Sequence, residues 1–241
     1  MGKRSKIEWT DATWNPWYGC SEVSAGCEHC YARAWAKRTG KPWKAVRAKS
    51  GTLRAPLHWS AGRKVFVCSL SDFWLATADA WRADAWKVIQ QCPQHTFMLL
   101  TKRPDRIGVG LPPEGIPGNV WLGVTVEDQK TTWRIDELAK WPEASVRFLS
   151  CEPLLGPLNL FRWLVGAYSE VPLDWIIVGG ESGAGCRPMS PYWAQSVVSQ
   201  AQQVEVPVFL KQLGGHPDPR AGKAAKLDGV LFKEWPVPTT R

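Results

Sequence analysis

Six short runs of mostly apolar residues between Lys64 and Lys211 limit what this chain can fold into more than any other feature of its sequence. They are Lys64–Leu70, His95–Thr101, Val120–Val126, Val146–Ser150, Asp174–Gly180 and Pro207–Lys211, each rich in β-branched and aromatic residues. A strand with one wet face alternates apolar and polar residues, whereas a strand covered on both faces does not. The runs therefore predict parallel strands buried on both sides. Between them lie helix candidates at 78–91, with Trp81, Ala85, Val88 and Ile89 on one face, at 128–141, and at 191–203, where Ser190 stands at the capping position and Pro191 in the first turn. Strand and helix in alternation imply right-handed βαβ units, and so an α/β barrel or a doubly wound sheet. The segment 108–118 reads as a loop, and from about residue 214 a polar stretch leads into the tail, with no sign of a second domain.

In both architectures ligands bind at the carboxyl ends of the strands. The residues there are polar in every case: Ser69, Ser71 and Asp72; Thr101, Lys102 and Arg103; Thr125, Glu127 and Asp128; Ser150, Cys151 and Glu152; Glu181 and Ser182; Lys211 and Gln212. Capping of a following helix accounts for some of these, Ser71, Asp72 and Asp128 among them. Six clusters in succession predict a ring-shaped polar site.

Composition closes off other classes. With 44% hydrophobic and 22% charged residues over 241 positions, the chain has the makeup of one large globular domain. No apolar stretch approaches the roughly 20 residues of a membrane helix, and the basic start lacks the apolar segment of a secretory signal. A reducing, cytoplasmic setting with no membrane partner is expected, and there seven cysteines read as thiols or metal ligands. Thirty Lys and Arg against 22 Asp and Glu, a net charge of +8, tilt the molecule toward polyanions. Sixteen tryptophans suit either core packing or stacking on bases; Trp9, Trp14 and Trp17, around the first strand, read as packing.

The strongest local signal is Gly19-Cys20-Ser-Glu-Val-Ser-Ala-Gly26-Cys27-Glu-His-Cys30-Tyr31, three thiols spaced C-x6-C-x2-C. A C-x2-C pair lets two thiolates meet one metal centre, and a glycine-containing loop brings the third into range. Cys30 opens a helix candidate, 30–38, whose N-terminal dipole favours thiolates. Structural zinc would want a fourth ligand, for which His29 would have to fold back. Three cysteines without metal are the plainest alternative. A [4Fe–4S] cluster with three protein ligands and one open iron fits the count of three.

The segment from Ile7 to Pro16, followed by Gly19-Cys20-x6-Cys27-x2-Cys30-Tyr31-Ala32, resembles the opening of a phage-associated family of three-cysteine-motif proteins that is similar to radical S-adenosylmethionine (SAM) enzymes. Later blocks resemble it too: Phe66–Asp72, Leu100–Pro104, Trp121–Glu127, Arg147–Gly156, Trp175–Gly183, Phe209–Gln212 and Leu227–Gly229. The resemblance implies an open, partial (β/α) barrel of radical SAM type with about six to seven mainly parallel strands. Cys20, Cys27 and Cys30 would hold a [4Fe–4S] cluster, with SAM on the fourth iron and an electron donor such as flavodoxin or ferredoxin. The first gap is three residues longer than the usual C-x3-C-x2-C.

The same resemblance sets Gly179-Gly180-Glu181-Ser182 beside the Gly-Gly-Glu stretch that meets the SAM amino group, although here it follows a late strand; Ser69, Ser71 and Asp72 are its positional equivalents. Thr125, Glu127, Ser150 and Glu152 complete the expected cofactor-binding ring. Lys102, Arg103 and Lys211, with Arg187, are expected to form an anion site for a phosphate backbone or the SAM carboxylate. Cys68, Cys151 and Cys186 fall at or after strand ends, as core residues or as a second thiol group. The reading is a SAM-cleaving iron–sulfur enzyme acting on a nucleic acid or nucleotide. The alternatives are a zinc-stabilised nucleic-acid-binding protein and a non-catalytic, cluster-carrying partner subunit.

Overall fold

The computed structural model describes residues 5–60, 62–165, 173–182, 185–214 and 225–237. Among them, seven strands build one parallel sheet: β1 (Ala12–Trp14), β2 (Lys64–Val67), β3 (Thr96–Thr101), β4 (Val120–Thr125), β5 (Val146–Cys151), β6 (Trp175–Gly179) and β7 (Val208–Gln212). Their order across the sheet is their order in the chain, and every pairing is parallel. Right-handed crossovers that always step to the same side put all connections on one face. The helices α3 (Asp79–Gln90), α4 (Trp133–Leu138), α5 (Phe161–Leu164) and α6 (Pro191–Gln202) accordingly share one core with the outward residues of the strands. The result is an α/β fold in the form of a partial barrel.

Period-two alternation sends the other set of side chains inward. There Trp9, Phe66, Met98, Trp121, Phe148, Trp175 and Phe209 form a separate aromatic cluster, with Trp175 packed edge-on against Trp9, Trp121 and Phe209. Half of the sixteen tryptophans are buried, Trp9, Trp14 and Trp17 among them; packing is their use. The open edge at β7 is met by the tail. Leu210 N bonds Phe232 O, Glu234 N bonds Val208 O, and Lys233 Nζ reaches Glu8 at 2.6 Å. The polar stretch beyond residue 214 is thus more than an extension: residues 215–224 lie outside the described residues, but a hairpin (Lys226–Leu227 with Val230–Leu231) turns at Asp228 and Gly229, both at positive φ, and buries Leu227 and Phe232.

Three expectations shift. The first apolar run yields a strand only to Val67, because Cys68 takes φ of 58° and turns the chain out of the sheet. The helix expected over 128–141 divides into a 3-10 turn (Gln129–Thr131), capped by Asp128, and α4. Ser190 precedes α6 but its hydroxyl makes no capping bond. Before the second sheet strand, α1 (Tyr31–Arg38), α2 (Ser50–Leu53) and a two-residue strand, Val46–Arg47, paired with Trp17–Tyr18, form a lobe beside the cysteine loop. No helix of the described residues is long and apolar enough to cross a membrane.

Candidate active site

The carboxyl ends of the strands surround a cavity of about 180 Å³, and the cysteine loop forms part of its wall. Cys20, Cys27 and Cys30 all line it, as do Ser69, Ser71, Asp72, Lys102, Arg103, Thr125, Ser150, Glu152, Gly180, Glu181, Ser182 and Lys211. Glu127 and Gly179 sit directly behind the wall: the Glu127 carboxylate fills the space beside Gly26, and a side chain at Gly179 would meet Glu152 Oε1 at 2.9 Å. Residues scattered over about 190 positions of sequence therefore converge because those after β2 to β7 lie at, or within five residues beyond, the end of a parallel strand, and the cysteine loop follows β1.

The electrostatics are set by four carboxylates, three of which hold the cysteine loop. Asp72, five residues beyond β2, accepts from Trp74 N (2.9 Å), Thr101 Oγ1 (2.7 Å), Lys102 N (3.0 Å) and Arg103 Nη1 (3.1 Å). Arg103 in turn donates to Ser21 O (2.7 Å) and Ser21 Oγ (2.8 Å), and its Nη1 lies 3.6 Å from Cys20 Sγ. Asp72 is thus no helix cap; Ser71 likewise gives its hydroxyl to Gly19 O (2.6 Å). Glu127, beyond β4, accepts from Ser24 Oγ at 2.7 Å, with Lys102 Nζ at 3.7 Å and Arg134 Nη1 at 3.5 Å. Glu181, beyond β6, meets His29 Nδ1 at 3.0 Å and Arg187, whose guanidinium also reaches Ala25 O (2.9 Å) and Glu28 (3.1 Å).

The fourth carboxylate differs. Glu152, beyond β5, stands on the cavity wall with Lys211 Nζ at 2.8 Å from Oε1 and Ser150 Oγ at 3.4 Å from Oε2, and among the described residues makes no hydrogen bond or ion pair to the loop. The expected anion site is therefore not a bare patch of cations: Lys102, Arg103, Arg187 and Lys211 are each matched by a carboxylate. Gly180 packs against Leu213 and Gly214, where a side-chain carbon on Gly180 would fall 2.5 Å from Leu213 O and 2.8 Å from Gly214 Cα, so the glycine pair is explained by close packing. Sequence patterning missed His29 and Tyr31 as parts of this wall; Tyr31 Oη donates to Ser69 O at 2.6 Å. Their one signal was position, on either side of the third cysteine.

Cys30 is the N-cap of α1, which begins one residue later than the expected start at Cys30, and Cys27 closes a 3-10 turn (Ala25–Cys27). Burial, and next the Asp72 charge, push the Cys20 thiol up to about 11 against the pull of Arg103. Among the described residues, no three His, Cys, Asp or Glu side chains are gathered closely enough to ligate a single ion, and His29 turns to Glu181. Of the other thiols only Cys68 lines the cavity; Cys151 is packed in the outer core and Cys186 lies outside the wall, so the three form no second group.

Searches of curated proteins and of solved structures each find no match to the chain. A family model does match, over residues 4–236 and hence nearly every position discussed above: the chain belongs to the family described as protein of unknown function, DUF5131.

Proposed function

We propose that the chain is an iron–sulfur enzyme of radical SAM type, with a [4Fe–4S] cluster on Cys20, Cys27 and Cys30, SAM in the adjoining cavity, and a nucleic acid or nucleotide as substrate. The observation that carries this reading is that three thiols of one loop border the same cavity as the ring of strand-end charges. The donor set fits the group. A cluster takes one thiolate on each of several irons and so asks for thiols spread around a larger body, whereas zinc asks for four ligands drawn to one point. Three thiols spread along one cavity wall, with His29 engaged elsewhere, match the first.

A cluster held by Cys20, Cys27 and Cys30 would supply one-electron chemistry toward SAM bound beside it. The chain's own residues do the positioning. Asp72 through Arg103, Glu127 through Ser24, and Glu181 through His29 and Arg187 fix three points of the loop, so the thiols are presented by hydrogen bonds anchored on buried carboxylates rather than by a free segment. With those three carboxylates engaged, the Glu152–Lys211 pair is left to meet a ligand. An ammonium bonds to Glu152 and a carboxylate to Lys211, so the pair suits the zwitterionic end of SAM. Glu152, and not Glu181, is then the partner of the amino group.

Anaerobic reconstitution tests the reading. About four irons per chain are expected, lost in Cys20→Ala, Cys27→Ala and Cys30→Ala and kept in Cys92→Ala, whose site is deep in the outer core. The reduced protein should release 5′-deoxyadenosine from SAM, and Glu152→Gln should weaken SAM binding more than Glu181→Gln. Stoichiometric zinc without iron would return the chain to a zinc-stabilised binding protein. Iron without SAM cleavage would make it a cluster-carrying subunit.

A further inference from the structure

The chain's entire basic excess lies in one stretch. Ten of the 30 Lys and Arg, and none of the 22 Asp and Glu, fall between His29 and Ser71, so the remainder carries 20 cations against 22 carboxylates. Eight of the ten, from Arg33 to Arg54, are exposed on the lobe made by α1, the Val46–Arg47 strand and α2. Arg33 pairs with Glu22 and Arg47 with Asp84. Among the described residues, Lys37, Arg38, Lys41, Lys44, Lys49 and Arg54 have no carboxylate partner. This is the reverse of the cavity, where every cation is matched.

The lobe is continuous with the site. A groove along α1 is lined by Glu28, Arg33, Lys37, Lys41, Cys30 and Trp43; Glu28 is paired with Arg187 and Arg33 with Glu22, and Cys30 and Trp43 also line the strand-end cavity. Nor does the lobe have the makeup of a protein-binding face. Protein interfaces centre on exposed apolar side chains with both signs of charge at the rim, yet the only large apolar side chain exposed between Arg33 and Arg54 or just before them is Tyr31, and its hydroxyl is tied to Ser69 O. A surface whose unpaired charges are all of one sign, without an apolar centre, suits a ligand whose charge repeats along its length.

We propose that the lobe is a nucleic-acid docking surface: its unpaired lysines and arginines hold the phosphate backbone without reading sequence, and the groove between α1 and Trp43 leads the strand to the cavity. The inference rests on the substrate half of the proposed function and is independent of the cluster. Fluorescence anisotropy with a labelled oligothymidine strand and a mixed-sequence DNA duplex, over a series of salt concentrations, tests it. Each phosphate contact contributes roughly −0.7 to −0.9 to the log-log slope. The variant Lys37→Gln/Arg38→Gln/Lys41→Gln/Lys44→Gln should therefore flatten the slope by about three units and weaken binding at least tenfold at about 0.1 M salt, with its thermal midpoint kept.

Removing Lys130 and Lys140, on the helical face, should leave the slope within about half a unit. Per-charge losses equal to those of the lobe would show that net charge alone acts and would overturn the proposal. So would an unchanged slope in the lobe variant, or tighter binding of polyglutamate, an acidic-protein stand-in, than of either DNA. Iron content and SAM cleavage, read on the same preparations, keep the two readings apart. DNA binding with no iron sinks the enzyme alone, and iron with no salt-dependent DNA binding sinks the docking surface alone.

Discussion

The floor and the rim of the half-barrel's inner face stand on the same strands, in the same two-residue period, and are chemically opposite. On β4, Trp121 is followed inward by Gly123, Thr125 and Glu127; on β5, Phe148 gives way to Ser150 and Glu152; on β6, Trp175 and Ile177 give way to Gly179 and Glu181. The floor buries aromatic area and leaves almost nothing polar to satisfy, so it holds the strands together. The rim buries carboxylates, which are costly unless matched, and matches them with cations from other strand ends, from α4 and from the segment after β6. Stability is concentrated in one layer and chemistry in the next, about two residues apart.

The sharpest way to break this contrast is at its centre. Trp175 is fully buried, touches four aromatic rings, and donates its indole N–H to Glu234 O at 2.8 Å. Trp175→Ala should cost about 3–5 kcal/mol, read as a lowered urea midpoint, while the folded fraction still binds iron through its three thiols. A loss below about 1 kcal/mol would show that the floor is not what holds the sheet.

On the rim, Asp72→Asn keeps the size of the side chain and removes the charge that faces Arg103. About 1.5–3 kcal/mol is expected to go with the charged hydrogen bonds. The more telling readout is the thiol: Asp72 helps to push Cys20 up, so its neutralisation should lower the Cys20 value and speed alkylation at fixed pH in the metal-free protein. An unchanged alkylation rate would show that burial alone sets this thiol.

Floor and rim were not equally legible in the sequence. The floor and its strands followed from continuous apolar runs, and the rim residues from their place after each run, because strand period and polarity are local properties. The pairing was not legible. Glu127 is tied to Ser24, and Glu181 to Arg187 and to His29, 152 positions away; such partners are set by how loops fold back over the strand ends, which no local pattern encodes. The Gly-Gly-Glu tripeptide did not show its partners either: Glu181 is engaged with the loop through His29 and Arg187, whereas Glu152 stands on the cavity wall paired with Lys211. The turn at Cys68 was missed for a related reason, since its positive φ follows from the packing of the strand end and not from residue type.

Gly123 tests whether the floor is as tightly filled as the contrast requires. The Phe148 ring occupies the place a side chain at Gly123 would take, and overfilling a packed core costs typically 1–3 kcal/mol. Gly123→Ala should fall in that range by chemical denaturation. Gly115, with nothing within 4 Å of an added methyl, has room for one but a φ of 82°, so Gly115→Ala should cost less and through backbone strain alone. Equal losses would mean that Phe148 moves aside freely and that the floor is soft.

The smallest expected effect separates the layers by pH. Burial raises the Glu181 carboxyl, but the side-chain and backbone hydrogen bonds and charge of Arg187, with His29, outweigh it and hold the group below its ordinary value. A carboxyl lowered in the folded state adds stability that is fully present above the ordinary glutamate value of about 4.3 and is lost as pH falls through the lowered one. Glu181→Gln should therefore be less stable than the parent by about 1 kcal/mol near neutral pH, and the two should converge as the pH drops below about 4. Trp175→Ala carries no titrating group and should differ from the parent by the same amount throughout that range. Urea midpoints of the three proteins at neutral and acid pH decide the matter: a Glu181→Gln deficit that persists below the lowered value would be a packing loss, and the rim would then be held by shape, as the floor is, and not by charge.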